Sequence, residues 1–278
     1  GYFFINIMVE NKWLWKIKGE KPGKIVVIMA GVHGNEVGGI KALKRAIKEI
    51  KINSGNVYYI LGNLRAISKN VRQIESNLNR SFTDARLKNP KTYEEKRAKE
   101  LATYLDEADA ILDLHSSRNK SSVPFAIFGP KSLNVAKKLD FDLITTGWDE
   151  IEPGSTNYYL NEKGRVAITV ETGQHLDEAS SKRAFKSIQT FLNLMGLTDE
   201  KVKMNDKKQK RIDVNYIYIT KNNLKIVKNF NDFEKIKKGD LIGMDGHEKI
   251  YSVQDGIIVF AHDIDKSGEE GFVLGRER

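Results

Sequence analysis

KIVVIMAGVHGNEVGGIKALKRAIKE, residues 24–49, decides the fold. Residues 24–31 are an unbroken run of β-branched and apolar side chains, which is how a strand covered on both faces reads. A glycine-rich turn follows, and over 36–50 the apolar residues recur at helical spacing. A buried strand that runs through a tight turn into a helix is the unit of an α/β sheet.

The same unit recurs outward from this stretch. Short apolar runs at 56–63, 110–115, 124–129, 143–147 and 166–173 end in Gly, Asn or His and read as further strands. Amphipathic patterns at about 91–107, 131–139 and 176–195 read as the helices between them. The last of these ends at Met195-Gly196, a helix C-terminal signal, and the polar TDEKVKMNDKKQK follows. The boundary is therefore placed there, with an α/β domain over 1–200 and a small all-β domain over 201–278. In the latter, short alternating runs such as DVNYIYITKN and QDGIIVFA are separated by Gly and Asp turns. The turn glycines of KKGDLIG and QDGIIVF also resemble the half-barrel of biotinyl and lipoyl carriers, with Lys249 between them, although any small barrel needs such glycines.

Composition narrows the chemistry. The 278 residues contain no cysteine, so disulfides, thiolate metal sites and a cysteine nucleophile are excluded, and any metal must be held by histidine and carboxylate. Lys+Arg 46 against Asp+Glu 37 gives a formal charge of +9. The lysines alternate with glutamates along helical faces, as on solvated surfaces, so nucleic-acid binding is not expected. No apolar run approaches the roughly 20 residues of a membrane span, and the opening GYFFINIMVENKWLWKIKGE lacks the features of a leader; a cytoplasmic protein without a membrane partner is the expectation. Homo-oligomerisation is left open.

Four local signals carry chemistry. In HGNE, His33 and Glu36 lie three apart across the glycine-rich turn; alone, the pair better fits a histidine capping the turn and a glutamate at a helix N-terminus. ILDLHSS places His115 at the carboxyl end of another strand, the edge where ligands gather in α/β sheets, with Asp113 on the same strand face as an orienting group. Together, two histidines and one glutamate form a donor set suited to a hydrolytic zinc ion. VAITVETGQ places Glu171 after an apolar strand, where an ionised carboxylate is costly without a task; beside a metal-activated water the task is general base, while the alternative is a cap for the following helix. GNLRAISKNVRQIESNLNRSF, 62–82, carries Arg65, Arg72, Asn79 and Arg80 in a stretch of weak periodicity, and its interleaved Ile74, Leu78 and Phe82 imply that parts of it are pinned to the body.

HGNE, then NLNRSF (77–82), then DLHSS (113–117), then ETG (171–173), in this order and at these separations, resemble the succinylglutamate desuccinylase/aspartoacylase family of zinc carboxypeptidase-like hydrolases. The resemblance spans nearly the whole chain. It implies a mixed, mainly parallel sheet flanked by helices, with an appended β domain near the mouth of the site. By likeness, His33, Glu36 and His115 bind one zinc ion and Glu171 is the general base and acid. Arg72 polarises the scissile carbonyl, and Asn79 and Arg80 hold the carboxylate of the substrate's amino-acid part. There are departures. Asn77 stands where the family often has aspartate, Leu64 where it has proline, and the stretch before Glu171 offers Asn161 and an out-of-step Arg165 where aspartoacylases place an arginine that reads an acidic side chain.

The expected activity is hydrolysis of the amide of an N-acyl amino acid or similar small carboxylated amide. The rival readings are a carboxypeptidase of short peptides and a metal-containing binding protein or carrier without turnover. His175, His247 and His262 receive no role, though His175 is close enough to Glu171 to reach a pocket rim.

Overall fold

Val26 to Ala30 are fully buried, so both faces of this segment are covered, as the apolar run of the sequence predicts. A computed structural model describes residues 7–118 and 122–278; residues 1–6 of the opening stretch lie outside the described residues. The strands of the first two-thirds are β1 (Ile7–Asn11), β2 (Leu14–Lys18), β3 (Lys21–Ala30), β4 (Ser54–Leu61), β5 (Ala110–Ser117), β6 (Phe125–Phe128), β7 (Leu143–Thr146) and β8 (Val166–Gln174). The remaining strands are β9 (Lys210–Ile219), β10 (Leu224–Ile226), β11 (Glu234–Ile236), β12 (Leu241–Asp245), β13 (Glu248–Tyr251), β14 (Gly256–Val259) and β15 (Glu270–Glu277). The helices are α1 (Val37–Glu49), α2 (Leu64–Lys69), α3 (Asp84–Lys88), α4 (Tyr93–Glu107), α5 (Leu133–Ala136), α6 (Trp148–Ile151), α7 (Thr156–Asn161) and α8 (Glu178–Leu194).

Among the described residues, twelve strands form one mixed sheet in the order β1-β2-β4-β3-β5-β8-β6-β7-β9-β15-β14-β11, and β10, β12 and β13 form a second. The centre, β4-β3-β5-β8, is parallel, whereas β15, β14 and β11 add on antiparallel pairings. Register aligns the carboxyl ends of the central strands: Ala30 pairs with Leu61 and Leu114, Leu114 with Val170, and His115 with Glu171. The chemical residues of the sequence motifs therefore emerge at one edge, where open α/β sheets bind ligands.

The C-terminal strands have a core of their own around Tyr218, Leu224, Ile242, Ile258 and Phe272. A third cluster joins Phe125 and Trp148 of the α/β part to Val214, Val259 and Phe260. Within it Phe125 stacks edge-on against Phe233, whose backbone is left-handed (φ 64°), as is that of Phe260 (φ 59°). Bulky side chains in this region cost about 1–3 kcal/mol each, a strain that aromatic packing here offsets.

The structure adds elements that the periodicity does not show. The weakly patterned stretch after Gly62 opens with α2, started by Asn63, whose side chain accepts the N–H of Ala66 at 3.1 Å. The 131–139 helix shortens to α5, and α6 and α7 are too brief for an amphipathic signature. Leu78 and Phe82 are buried, as their spacing predicts.

Two glycines, Gly34 in the turn after β3 and Gly39 in the first turn of α1, let these elements pack closely. A Cβ on Gly39 would stand 3.0 Å from Leu114 Cβ, so its absence lets α1 lie close to β5. At Gly34 a Cβ would fall 2.0 Å from the Ala66 carbonyl carbon and 2.3 Å from Ile67 N, backbone atoms that cannot rotate away. Gly34→Ala is expected to lower the unfolding free energy in urea by about 1–3 kcal/mol, the usual range for overpacking; an unchanged midpoint would show that the turn and α2 are free to move apart.

Candidate metal centre and catalytic cleft

Glu36 occupies the N-cap position of α1, yet its side chain caps nothing. It turns instead into the strand-end edge, where Oε1 lies 2.8 Å from His33 Nδ1 and Oε2 lies 3.2 Å from His115 Nδ1. Oε2 also accepts the Ser116 N–H at 3.1 Å. The two imidazoles meet edge to face with centroids 5.1 Å apart, and all three residues are at most 4% exposed.

The outer nitrogens decide which inner atoms are available. Asn77 Oδ1 accepts the backbone N–H of Asn79 at 2.9 Å, which fixes the amide orientation, and it lies 3.1 Å from His33 Nε2. An oxygen there only accepts, so with the proton on Nε2 the lone pair of Nδ1, which faces the Glu36 carboxylate, is available to a cation set between the two. His115 Nε2 lies 3.1 Å from Asp113 Oδ2, an ion-pair distance without hydrogen-bond alignment, and Asp113 Oδ2 is itself held by the Thr156 hydroxyl at 2.6 Å. Both imidazoles thus turn Nδ1 inward, each with an oxygen behind it, the outer-shell pattern of metal-ligating histidines.

Electrostatics points the same way. Burial and the nearby Arg72 push His33 down to about 4, so it is neutral and ligand-competent. Burial opposes ionisation of Glu36, but His33 and His115 outweigh it and hold the carboxyl well below its ordinary range. Burial likewise opposes charge on His115, and Asp113 with Glu36 overcomes it, so the imidazole is raised well above its usual value. Two buried carboxylates demand a positive charge here. His33, Glu36 and His115 each offer one ligand atom within 4.8 Å of the others, and a set of two imidazole nitrogens and one carboxylate suits zinc.

The centre opens into a cleft of about 1240 Å³ lined by His33, Glu36, Arg72, Asn79, Arg80, His115 and Glu171, whereas Arg65 does not line it and sets its guanidinium over the Tyr93 ring. Arg72 Nη1 stands 3.8 Å from Glu36 Oε1, with its guanidinium partly open to the cleft. Glu171 lies beside His115 in the β5–β8 ladder and opposite Phe125 in the β8–β6 ladder. Burial pushes its carboxyl up to about 8; His115 and Arg72 pull against this, while Glu36 and Asp232 add to it. Asn79 Oδ1 is buried without a hydrogen-bond partner among the described residues. His175 lines the cleft as well.

Arg80 is placed differently from a waiting carboxylate clamp. Its Nε donates to Glu270 Oε1 at 2.8 Å, Nη2 lies 2.7 Å from Glu152 Oε1, and Nη1 donates to the Asn79 carbonyl at 2.8 Å. Arg165 is spent elsewhere, donating to the Leu105, Asp106 and Ala108 carbonyls at the end of α4, and Asn161 donates to Asp149.

Glu94 is a residue that the sequence did not single out. Fully buried on α4, it accepts the N–H groups of Ile74 (2.7 Å), Glu75 (3.1 Å) and Ser76 (3.0 Å) and the Asn63 amide (3.0 Å). One turn on, Arg97 donates to the Gly62 and Leu61 carbonyls and stacks on Trp13 with its guanidinium carbon 3.9 Å from the ring centroid. The two side chains bind the segment that carries Arg72 and Asn77 to the sheet. A buried acid in KTYEEKRAKE was the available signal, but it is masked by the acidic first turn that any helix favours.

The model of the succinylglutamate desuccinylase/aspartoacylase catalytic domain matches residues 22–197. The chain belongs to that family. It is therefore a deacylase-family hydrolase of amide bonds. The succinylglutamate desuccinylase of Shewanella sp. (strain MR-4) is 27% identical over 289 residues, spanning 93% of this chain and 74% of that protein. A probable aspartoacylase of Prochlorococcus marinus is 29% identical over 113 residues, 38% of each. Among solved structures, the succinylglutamate desuccinylase of Vibrio cholerae superposes with a TM-score of 0.79 at 19% identity, covering 97% of this chain and 86% of that one. The product-bound ectoine utilization protein EutE (DoeB) of Ruegeria pomeroyi gives 0.74 at 21%, covering 95% and 88%. At these identities the two structures establish the fold: a mixed α/β sheet flanked by helices with antiparallel strands at its C-terminal end. No helix among the described residues is long and apolar enough to cross a membrane.

Elemental analysis of protein purified without chelator is expected to find about one zinc per chain in the wild type and none in His33→Ala. Asn77→Ala, which frees the outer nitrogen of His33, should weaken zinc binding about 10–100-fold in a competition titration with a chromogenic chelator; an unchanged affinity would remove Asn77 from the metal centre.

Proposed function

We propose that this deacylase is zinc-dependent and cleaves the amide of an N-acyl amino acid or similar small carboxylated amide, with His33, Glu36 and His115 as ligands of one zinc ion and Glu171 as general base and acid. The observation that carries this reading is the convergence of two strand-end histidines, Glu36 and Glu171 on one cleft. A bound zinc ion supplies Lewis acidity, which brings the pKa of a water toward ~7 and polarises a carbonyl.

The chain's own groups do the rest. Glu171 in its ionised form accepts the proton of the attacking water, and the burial that raises its affinity for a proton lets it hold that proton until it is returned to the departing nitrogen. Arg72, held beside Glu36 by the loop that Glu94 anchors, faces the negative charge developing on the carbonyl oxygen. Asn79 and Arg80 receive the amine half of the substrate, and a substrate carboxylate reaches Arg80 by displacing Glu152 or Glu270.

Residues 1–200 carry the chemistry in this reading, and residues 201–278 contribute a wall, since Phe230, Asp232, Phe260 and Glu270 all line the cleft. A wall of this kind favours a small-molecule substrate over a long peptide, and the reading involves neither nucleic acid nor membrane. Glu171→Gln is expected to retain zinc while kcat on an N-acyl amino acid falls at least about 100-fold. Unchanged turnover with the metal in place would assign the proton transfer to another group.

A further inference from the structure

A second, smaller cavity of about 190 Å³ adjoins the catalytic cleft, and the two share Ile127, Trp148, Asp149 and Asn157 as lining. Ile127, Phe128, Leu133 and Trp148 give it apolar walls. Its polar groups are left incomplete. Asn157, on α7 and 3% exposed, stands where the two cavities meet, with neither amide atom in a hydrogen bond among the described residues. One helical turn on, Asn161 lines the smaller cavity from the same face of α7. Its Nδ2 donates to Asp149 Oδ2 at 2.6 Å, while its buried Oδ1 has no donor among the described residues. Gly129, also in the cavity wall, makes room for that amide, since a Cβ there would fall 2.0 Å from Asn161 Oδ1.

The unmet groups are thus two amide oxygens and one amide nitrogen, all neutral. A buried polar atom without a partner is costly unless something it binds supplies one. A primary carboxamide is their complement. Its carbonyl accepts from Asn157 Nδ2 while one N–H donates to Asn157 Oδ1, the reciprocal pairing of two amides, and its second N–H reaches Asn161 Oδ1. Charged groups fit less well. A carboxylate has no N–H for the two oxygens and meets Asp149 and Glu150 in the cavity wall. An ammonium has no acceptor for Asn157 Nδ2 and meets the charge of Arg211, which also lines the cavity. Burial raises the Asp149 carboxyl above its ordinary range, which weakens its demand for a cation.

We propose that this side cavity, through Asn157 and Asn161, is a carboxamide subsite, so that the amino-acid half of the substrate carries a primary amide side chain, as in an N-acylated glutamine or asparagine. This rests on the deacylase reading of the adjoining cleft. The scissile amide stays in the cleft, the methylene stem lies along the Ile127 and Trp148 wall that the two cavities share, and the side-chain amide pairs with the two asparagines. Asn157 and Asn161 then set which substrate is accepted and take no part in the proton transfer.

The test uses zinc-loaded full-length protein and ligands matched in size: Nα-acetylglutamine and Nα-acetylasparagine against Nα-acetylglutamate, Nα-acetylaspartate and Nα-acetylnorleucine as substrates, with the free amino acids as products in calorimetry. The better carboxamide substrate is expected to have a kcat/KM at least about tenfold above its carboxylate counterpart and above the norleucine compound, with the difference in KM, and its free amino acid to bind tighter by a similar factor. In an Asn157→Ala/Asn161→Ala double variant the preference over norleucine should fall to about one, and Asn161→Ala alone should reduce it at least about threefold should the double variant not fold. Equal affinity for the products, a wild-type preference for a carboxylate substrate, or a ratio that survives the substitutions would overturn the subsite. If free glutamine or asparagine binds with this selectivity but no N-acyl compound is hydrolysed, the deacylase reading fails and the carboxamide subsite stands.

Discussion

One buried carboxylate, Glu36, fixes the head of the sheet. It stands where a helix would ordinarily be capped by its side chain, and instead it joins two imidazoles and a backbone N–H. An ionised carboxylate in such a place is stable only among positive charge and hydrogen-bond donors, and each neighbour is arranged to supply them. His33 is steered by Asn77, His115 is backed by Asp113, and Arg72 closes the outer side. The glycines of the turn follow from the same demand, because Glu36 reaches the strand ends only if Gly34 lies against the backbone of α2.

The sequence shows the chemical residues clearly because the fold rule that places them is local. A run such as KIVVIMAG or AILDLH fixes a strand and where it ends, and in a parallel sheet those ends share one edge. His33, His115 and Glu171 were legible for that reason: the register pairs His115 with Glu171, and the His33 and His115 rings lie 5.1 Å apart. The partners of Arg80 were not legible. Glu270 is 190 residues away in the chain and arrives through an antiparallel strand whose own pattern says nothing of its neighbour. Glu94 was hidden for a different reason, since a glutamate in the first turn of a helix has an ordinary electrostatic explanation. Asn77 was read as a departure near Arg80, whereas its contacts tie it to His33.

The C-terminal strands meet the rest of the chain through an aromatic seam at the cleft. β9 pairs with β7, and Phe233 and Phe260 pack on Phe125, the cross-strand neighbour of Glu171. A strained backbone at both phenylalanines is maintained because their rings are needed in that seam. The environment that keeps Glu171 from ionising readily is thus assembled from both ends of the chain, with Asp232 adding its charge from the far side.

Glu94 grips its loop by the main chain. Three consecutive amide groups, those of Ile74, Glu75 and Ser76, point at one carboxylate, and none of the three side chains takes part in that grip. The Glu75 carboxylate and the Ser76 hydroxyl add holds of their own on the start of α4, at Tyr93 N and Thr92 Oγ1. Of the three positions, Ile74 is the one whose hydrogen bond to α4 is made by the main chain alone, so during divergence its side chain can be exchanged to suit a different ligand while the backbone keeps the arginine in place.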